Sequence, residues 1–372
     1  MPADTGPSGT EPPAAGRPRP YRMFGRSDDD LATWLAGRPD EDVIEPGLAI
    51  VDAHHHLWDT PARGRYLLPE LLTDLGAGHR VTATVYVECG AMYRRGGPPQ
   101  EAPLGEIEFA NGVAAMSASG RYGDCAVSAG IVGRVDLTAG AAARGLLEQA
   151  IALSGGRLRG IRHGLAWDPS PVISQGRKAG AGKGPSRFAP PHLAADPAFR
   201  AGLAQLAPLG LVFDCFVFHS QLDEALDLAR AFPDTTFVIN HVGVPLGVGP
   251  YQDRRQEVFR AWRAGMAALA RLPRVHVKLG GLGMPLFGFF FTGGELPPTS
   301  QVLARAWQDY IGFCVEAFGA DRCMFESNFP PDRQSCGYRT LWNAFKRISA
   351  AASAAEKDAL YRGTATRVYR LN

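Results

Sequence analysis

From about residue 48 onward, the chain alternates short apolar runs with segments of helical periodicity. The runs are rich in β-branched and aromatic residues, which favour strands, and most of them end in a polar residue. Near-continuous apolar strands separated by helices are typical of a parallel sheet that is covered on both faces. The eight predicted strands are residues 48–56, 82–88, 125–132, 158–163, 211–219, 235–241, 274–279 and 322–327.

Eight such strands predict an α/β fold, the closed (β/α)8 TIM barrel, in which every strand is followed by a helix. Ser220 is expected to cap the helix after the fifth strand, and Ser300 is expected to cap a later helix that ends at Gly319. The rival architecture is a doubly wound open sheet, which would carry a phosphate-binding glycine loop after its first strand. The segment VDAHHHLWD at residues 51–59 has histidines there instead, which favours the barrel.

Composition narrows the class of protein further. The chain has 372 residues and a formal net charge of +2. This length suits one large domain, and so small a charge gives no field that would attract nucleic acid or an anionic membrane. No apolar run is long enough for a transmembrane helix, and the N-terminus lacks the apolar core of a secretory signal. The six cysteines show no CxxC spacing, which argues against a disulfide framework and a thiolate zinc site. We therefore predict a cytoplasmic protein.

The composition changes along the chain and divides it into three predicted parts. Residues 1–20 are rich in proline, glycine and alanine and are expected to form a disordered tail. Residues 21–47 are expected to form an extension that packs on the barrel. Residues 48–372 are expected to form the barrel itself, as a single domain.

Two connections are longer than a barrel needs. Residues 169–191, after the fourth strand, carry four cations and no acid. They are interpreted either as a solvated insertion or as a lid whose cations meet an anionic substrate. Residues 280–299, after the seventh strand, contain four phenylalanines in a glycine-rich loop. Phe287 and Phe289 of this loop are expected to form an apolar wall of the substrate pocket, with a plug at the barrel mouth or a partner surface as alternatives.

The C-terminal ends of all strands in a parallel barrel open at one mouth, where active sites lie. The polar residues at the predicted strand ends should therefore converge. Because side chains alternate along a strand, Asp52, His54 and His56 are predicted to share one face, and Glu326 and Asn328 another. The converging residues are His54, His56, Glu88, Arg162, His163, His219, His241, Lys278, Glu326 and Asn328.

Several of these strand ends belong to segments that resemble a known superfamily. The segments are VDAHHHLWD, RGIRH, FHSQ, INHVG, VKLGGLG and MFESNFPPD. Together they resemble the amidohydrolase superfamily, and within it the TIM-barrel hydrolases that include the pyrone-dicarboxylate and sugar lactonases. The resemblance covers residues 49–371. It implies a TIM barrel that acts on a small molecule.

The resemblance also implies roles for individual residues. His54 and His56 match the first-strand histidines that bind a metal in metal-dependent relatives and can polarise the substrate carbonyl in lactonases. His241 matches the sixth-strand histidine. Arg162 and Lys278 are similar to the cationic groups that orient a substrate carboxylate or ring oxygen. The implied substrate-binding set is Glu88, Arg162, His163, His219, Lys278, Phe287 and Phe289.

The eighth strand departs from the family pattern. Relatives read GSDWP there, with an aspartate that binds metal or activates water, whereas this chain reads Glu326-Ser-Asn328-Phe-Pro. An asparagine amide has no usable basicity near neutral pH, so Asn328 can bind a water or substrate oxygen but cannot be the base. Glu326 is the first candidate for base or ligand, followed by Glu88 and Asp332. The implied cofactor is one zinc-like divalent ion, and a metal-free site is the alternative. The metal ligands would be His54, His56 and His241.

Three functions fit these residues. The first is a hydrolase in which an activated water opens a lactone or related cyclic ester or amide of a small carboxylated or aromatic molecule. The second is non-oxidative decarboxylation of an aromatic or unsaturated acid. The third is a non-catalytic barrel, suggested by the lost aspartate. The expected partner is a small-molecule substrate, with a negative group favoured by the basic connection. A homo-oligomer stays open, and neither nucleic acid nor membrane is expected.

Overall fold

The computed structural model describes residues 22–173 and 189–371. Its strands are β1 Ala49–His55, β2 Trp58–Thr60, β3 Gly64–Tyr66, β4 Arg80–Val87, β5 Ala126–Gly133, β6 Leu158–Ile161, β7 Val212–Cys215, β8 Phe237–Ile239, β9 Val275–Leu279 and β10 Cys323–Phe325. Its longer helices are α1 Asp28–Ala36, α2 Leu68–Leu75, α3 Leu104–Ala118, α4 Ala143–Leu153, α5 Pro197–Leu203, α6 Leu222–Ala231, α7 Arg255–Ala270, α8 Ser300–Phe318 and α9 Tyr338–Ile348. Two short helices follow, α10 Ala354–Asp358 and α11 Thr364–Val368.

Eight of the strands form one parallel sheet in the order β1-β4-β5-β6-β7-β8-β9-β10. An isolated parallel bridge between His55 and Phe329 joins the first strand to the segment after the last one, which brings the sheet close to closure. Helices lie between successive strands and cover the outside. The predicted (β/α)8 barrel and its eight strands are therefore confirmed.

A short hairpin immediately after β1 was not predicted from the sequence. Strand β2 pairs with β3 in antiparallel register, with Trp58 opposite Tyr66. The Trp58 ring stacks on the His56 imidazole at a centroid distance of 5.9 Å. The hairpin thus covers one side of the histidine segment.

Two helix starts differ from the predictions. Helix α6 begins at Leu222, and the residue before it, Gln221, makes no side-chain capping bond, so Ser220 is not its cap. Helix α8 includes Ser300, and Thr299 caps it by accepting a hydrogen bond from the Val302 amide. The predicted end of α8 at Gly319 is confirmed, with φ of 82° and an N–H that donates to Val315.

The barrel interior is filled from the strands and from the C-terminal segment of the chain. Tyr369 is fully buried in this cluster, and Val368 and Leu371 pack beside it. The strand residues in the same cluster are Val51, Ala53, Val85, Val87, Val132, Val212, Val238 and Met324. The C-terminal segment lies far along the chain from most of these strands, yet it reaches the centre of the barrel.

The described part of the N-terminal extension packs along the outside of the barrel. The Trp34 indole donates to the Gly294 carbonyl at 2.9 Å, and the Lys346 ammonium donates to the Ile44 and Glu45 carbonyls at 2.8 Å each. The predictions for residues 1–20 and for most of the connection at 169–191 lie outside the described residues. Within the described ranges, no helix combines the length and apolarity needed to cross a membrane.

Candidate active site

A buried carboxylate with two imidazoles lies at the C-terminal ends of three barrel strands. Glu326 follows β10, and its Oε1 lies 2.7 Å from Nδ1 of His241, which follows β8. Its Oε2 lies 2.8 Å from Nδ1 of His54 on β1. Oε2 has no partner of hydrogen-bond geometry among the described residues, although it is fully enclosed. The centre thus contains a carboxylate oxygen that can accept a proton or bind a cation.

His54 of β1 and His56, which directly follows this strand, face each other as predicted. Nε2 of His54 and Nε2 of His56 are 3.2 Å apart, and Nδ1 of His56 is fixed by the Val87 carbonyl at 2.7 Å. Asp52, however, does not share their face, because its Oδ2 accepts a hydrogen bond from the Tyr338 hydroxyl on the surrounding α9. The register of β1 shifts between Asp52 and His55, and this irregularity breaks the strict alternation.

Arg162 and Glu88 form a second buried pair at this end of the barrel. Nε of Arg162 donates to Glu88 Oε1 at 2.9 Å, and Nη2 donates to the Glu88 carbonyl. Nη1 lies 3.3 Å from His54 Nε2 and 3.4 Å from Asn240 Oδ1. The guanidinium therefore lies against the histidine pair, with Glu88 balancing its charge.

Lys278 also reaches the centre, but its carboxylate partner was missed from the sequence. Its ammonium donates to Asp214 Oδ2 on β7 at 2.7 Å and lies 3.3 Å from His54 Nδ1. Asn240 and Tyr369 donate to the same carboxylate at 2.9 and 2.8 Å. Asp214 interrupts an apolar run, which could have indicated it, whereas nothing local in the sequence connects Tyr369 to the site.

The electrostatics of the centre keep its histidines neutral. Burial lowers the pKa of His54 well below its ordinary value, and the nearby Lys278 charge lowers it further. Burial and the Arg162 charge do the same to the pKa of His56. The pKa of His241 is also lowered by burial, although Glu326 opposes the shift. Neutral imidazoles are the form that binds metal ions or accepts hydrogen bonds.

The donor atoms fit a single divalent metal ion. One ligand atom each from His54, His241 and Glu326 lies within 4.8 Å of the others, and all three residues are buried. Two histidines and one carboxylate form a common ligand set of catalytic zinc sites. The unpartnered Glu326 Oε2 supports this fit. Glu326 thus joins the potential ligands; His56 is not in this cluster and contacts it through His54.

The side chain of Asn328 pairs with Asp332, although its backbone N–H donates to the His54 carbonyl at 2.9 Å. Its backbone has a left-handed φ of 52°, and its amide Nδ2 donates to Asp332 Oδ1 at 2.7 Å. The predicted pairing of Asn328 with Glu326 on one strand face is therefore wrong, because β10 ends at Phe325 and the chain turns. Burial raises the pKa of Asp332 well above its ordinary value, although Asn328 and the Gly283 amide both donate to it.

Two further predicted substrate residues accept hydrogen bonds from backbone amides. His163 accepts a hydrogen bond from the Leu137 amide at 3.2 Å and packs edge-on against Phe199. His219 accepts one from the Leu246 amide at 3.3 Å. Their roles in substrate binding stay predictions.

The phenylalanine loop packs toward the helix layer. Phe287 is buried, and Phe289 stacks on it at a centroid distance of 6.4 Å. Phe289 also contacts the Arg255 guanidinium on α7 and the Tyr310 ring on α8. That Phe287 and Phe289 line the substrate pocket remains a prediction.

Two glycines after β9 make room for the centre. A Cβ on Gly281, whose φ is +71°, would lie 2.5 Å from His241 Nδ1. A Cβ on Gly280 would overlap Glu326. Close approach of this backbone to both side chains therefore requires glycine at the two positions.

The loop that carries Glu88 is held by a buried carboxylate on α3. Glu106 accepts hydrogen bonds from the amides of Cys89, Gly90 and Ala91 at 2.7, 3.2 and 3.1 Å. Its Oε1 also accepts one from the Tyr86 hydroxyl at 2.8 Å. This single side chain therefore fixes the backbone directly after Glu88.

We expect Glu106→Gln to lower the free energy of unfolding by about 3 kcal/mol, because the amide group would face backbone donors that it cannot satisfy. Urea denaturation measures the change. Glu108→Gln is the matched control on the same helix, since Glu108 is exposed and pairs with Arg94 at the surface. Equal and small losses in both variants would contradict a fixing role for Glu106.

Histidines, a carboxylate and two cations at the strand ends of a TIM barrel form the arrangement expected of a barrel enzyme's active site. The family model described as amidohydrolase matches residues 51–371, and the chain belongs to this family of enzymes. The membership expected from the motifs is thereby confirmed.

Three similar proteins place the chain within the family. It is 30% identical to an uncharacterized protein of Sinorhizobium fredii, over 87% of this chain and 99% of that one. It is 28% identical to L-fucono-1,5-lactonase of Burkholderia multivorans, over 87% of this chain and 97% of the relative. It also shares the fold of a zinc-bound amidohydrolase from Burkholderia multivorans, with a TM-score of 0.65, 24% identity, and coverage of 87% of this chain and all of that chain.

Proposed function

We propose that the chain hydrolyses a lactone or related cyclic ester of a small molecule. The observation that carries this proposal is Glu326, a buried carboxylate whose Oε2 has no hydrogen-bond partner in the described ranges and lies beside His54. A carboxylate in this position can activate a water molecule for attack on a carbonyl. The similarity to a protein named L-fucono-1,5-lactonase supports a lactone as the electrophile.

The charges around Glu326 suit ester hydrolysis. As water attacks the lactone carbonyl, Glu326 takes the water proton and the carbonyl oxygen becomes negative. The guanidinium of Arg162, which lies 3.3 Å from His54 Nε2, is a cation that can stabilise that oxygen. The ring C–O bond then breaks, and Glu326 returns the proton to the leaving alkoxide. The product is an open-chain hydroxy acid, which releases one proton at neutral pH.

His54, His241 and Glu326 are the residues that would hold a divalent ion. When bound, such an ion supplies Lewis acidity and lowers the pKa of water at the site. His56 and Lys278 approach His54 from either side of its ring, through Nε2 and Nδ1, and so fix its orientation. This support keeps the imidazole in place for ligation or for hydrogen bonding.

The test is a pH-indicator assay of the purified full chain with a panel of lactones. The panel contains neutral 1,5-lactones of sugar acids, a carboxylated pyrone and an aromatic lactone, because a negative group on the substrate is expected but untested. We expect proton release on ring opening of at least one class. Release of carbon dioxide from an aromatic acid, with no lactone opened, would replace the proposal with decarboxylation. Absence of both activities would favour the non-catalytic alternative.

Metal removal gives a separate result. We expect about one zinc-like ion per chain, as in catalytic sites with three protein ligands, and loss of turnover after chelation that returns when Zn²⁺ is added. Elemental analysis and the indicator assay measure both. His79→Gln is the control for both measurements. It removes a histidine that contacts Lys346 and the Arg339 carbonyl rather than the centre. Full turnover by metal-stripped protein would establish the metal-free form of the mechanism.

A further inference from the structure

Lys278 is a buried ammonium that the proposed mechanism does not use in proton transfer. Its Nζ lies 3.3 Å from His54 Nδ1, and Glu326 Oε2 lies 2.8 Å from the same nitrogen. A cation and a carboxylate oxygen therefore flank one atom inside the barrel. Even so, Glu326 Oε2 has no hydrogen-bond partner in the part of the chain that the structure describes. The ammonium pairs with another carboxylate, which restrains it.

The restraint is Asp214. Its Oδ2 accepts from Lys278 at 2.7 Å and from Asn240 Nδ2 at 2.9 Å, and its Oδ1 accepts from the Tyr369 hydroxyl at 2.8 Å. Asp214, Lys278, Asn240 and Tyr369 are all fully buried. Three donors from different parts of the chain thus fix both oxygens of one carboxylate. Because these groups lie out of water, the Lys278–Asp214 attraction is poorly screened.

Tyr369 supports the pair in two ways. Its hydroxyl binds Asp214, and its ring lies 5.1 Å from the Lys278 ammonium, within the range of a cation–π contact. Tyr369 belongs to the C-terminal segment that fills the barrel interior. The end of the chain therefore reaches the charged groups directly beneath the catalytic centre.

We propose that Asp214 and Tyr369 are positioning residues that hold the Lys278 ammonium away from Glu326. A direct ion pair between Lys278 and Glu326 would occupy Oε2, the oxygen that the attacking water must approach. The retained Lys278–Asp214 pair leaves that oxygen available to the attacking water. The inference rests on the proposed function of Glu326 as the base.

Asp214→Asn tests the restraint, because the amide keeps the shape of the side chain and removes its charge. We expect the crystal structure of this variant to show Nζ of Lys278 within about 3 Å of Glu326 Oε2. We expect kcat to fall about 100-fold on a lactone that the native chain opens, with KM changed little. If Nζ of Lys278 still lay beside the side chain at position 214 in that structure, the proposal would be overturned.

Tyr369→Phe removes a single oxygen and retains the packed ring. We expect kcat to fall about tenfold, since one hydrogen bond to Asp214 is lost and the restraint weakens. Tyr361→Phe is the matched control, because Tyr361 is also fully buried but its hydroxyl contacts Ser349, away from the site. Equal kcat values for the two variants would contradict a positioning role for Tyr369.

A double variant shows whether Asp214 acts through Lys278. If it does, Asp214→Asn combined with Lys278→Met should have the kcat of Lys278→Met alone. A further loss equal to that of Asp214→Asn in the native background would overturn the proposal. If Lys278→Met does not fold, the comparison of Tyr369→Phe with Tyr361→Phe decides whether the proposal holds. The crystallographic result needs no turnover, so failure of the lactone proposal would be distinguishable from failure of this one.

Discussion

We expect Glu326→Gln to lower kcat by about 1000-fold or more, because an amide cannot take the proton of the attacking water. The amide would keep the size of the side chain and could still accept a hydrogen bond from the His241 backbone N–H, as Glu326 does at 3.2 Å. The fold should therefore be retained. Stopped-flow and steady-state kinetics on the best lactone of the panel measure the loss, and circular dichroism checks the fold.

Glu88→Gln is the comparison for this prediction. Glu88 binds Arg162 rather than the histidines, so its loss should chiefly raise KM through a displaced guanidinium. A Glu326→Gln enzyme that keeps a tenth or more of the native kcat would show that the base is another carboxylate. Glu88 and Asp332 would then be the candidates, in that order.

The second large effect is expected from Asn328→Asp. The amide Nδ2 of Asn328 donates to Asp332 Oδ1 at 2.7 Å inside the protein, and the variant would put a second carboxylate in its place. Two buried carboxylates at this separation cannot both ionise. We expect the free energy of unfolding at pH 8 to fall by about 3 kcal/mol or more, since the folded pair must either hold a proton that the unfolded chain releases at this pH or place two charges together. Urea denaturation from pH 5 to pH 8 measures it.

The sign of the pH dependence follows from proton binding. Burial already raises the pKa of Asp332 well above its ordinary value, and a neighbouring carboxylate would raise the pKa of the pair further. The folded variant then holds a proton that the unfolded chain has released, so stability is greatest at low pH and falls as pH rises through the folded pKa. Asn328→Asp should therefore approach the native stability near pH 5.

A reciprocal exchange provides the control. The double variant Asn328→Asp, Asp332→Asn restores one donor and one carboxylate to the pair, and should recover stability at pH 8. We expect no added metal in either variant, because Asn328 faces Asp332 rather than the three potential ligands. An Asn328→Asp protein with native stability at both pH values would contradict the contact on which the prediction rests.

Local periodicity predicted the eight strands and the shared face of His54 and His56, and the structure confirmed both. Eight apolar runs became the eight barrel strands, and His54 and His56 face each other because they are two residues apart near the end of β1. The same rule was wrong for Asp52, where β1 shifts register, and for Asn328, which lies beyond the end of β10. Alternation holds only while a strand remains regular, and active-site strands end or bulge near their polar residues.

The sequence did not indicate which side chains pair with one another across the barrel. Lys278 was expected to orient a substrate carboxylate or ring oxygen, but it binds Asp214, which is 64 residues away in sequence. Tyr369 reaches the same carboxylate from 155 residues away. Hydrophobic patterning records which residues are buried, but it does not record which buried residues meet.

The sequence by itself determined the fold class, the family and the set of polar strand ends, because periodicity and strand-end motifs are local properties of the chain. Only the tertiary structure decided how the charges are paired: Glu326 with His54 and His241, Arg162 with Glu88, and Lys278 with Asp214. Those pairings depend on closing the barrel, which brings distant strands within a few ångströms of one another. Barrel closure therefore decides which charged groups meet at the strand ends.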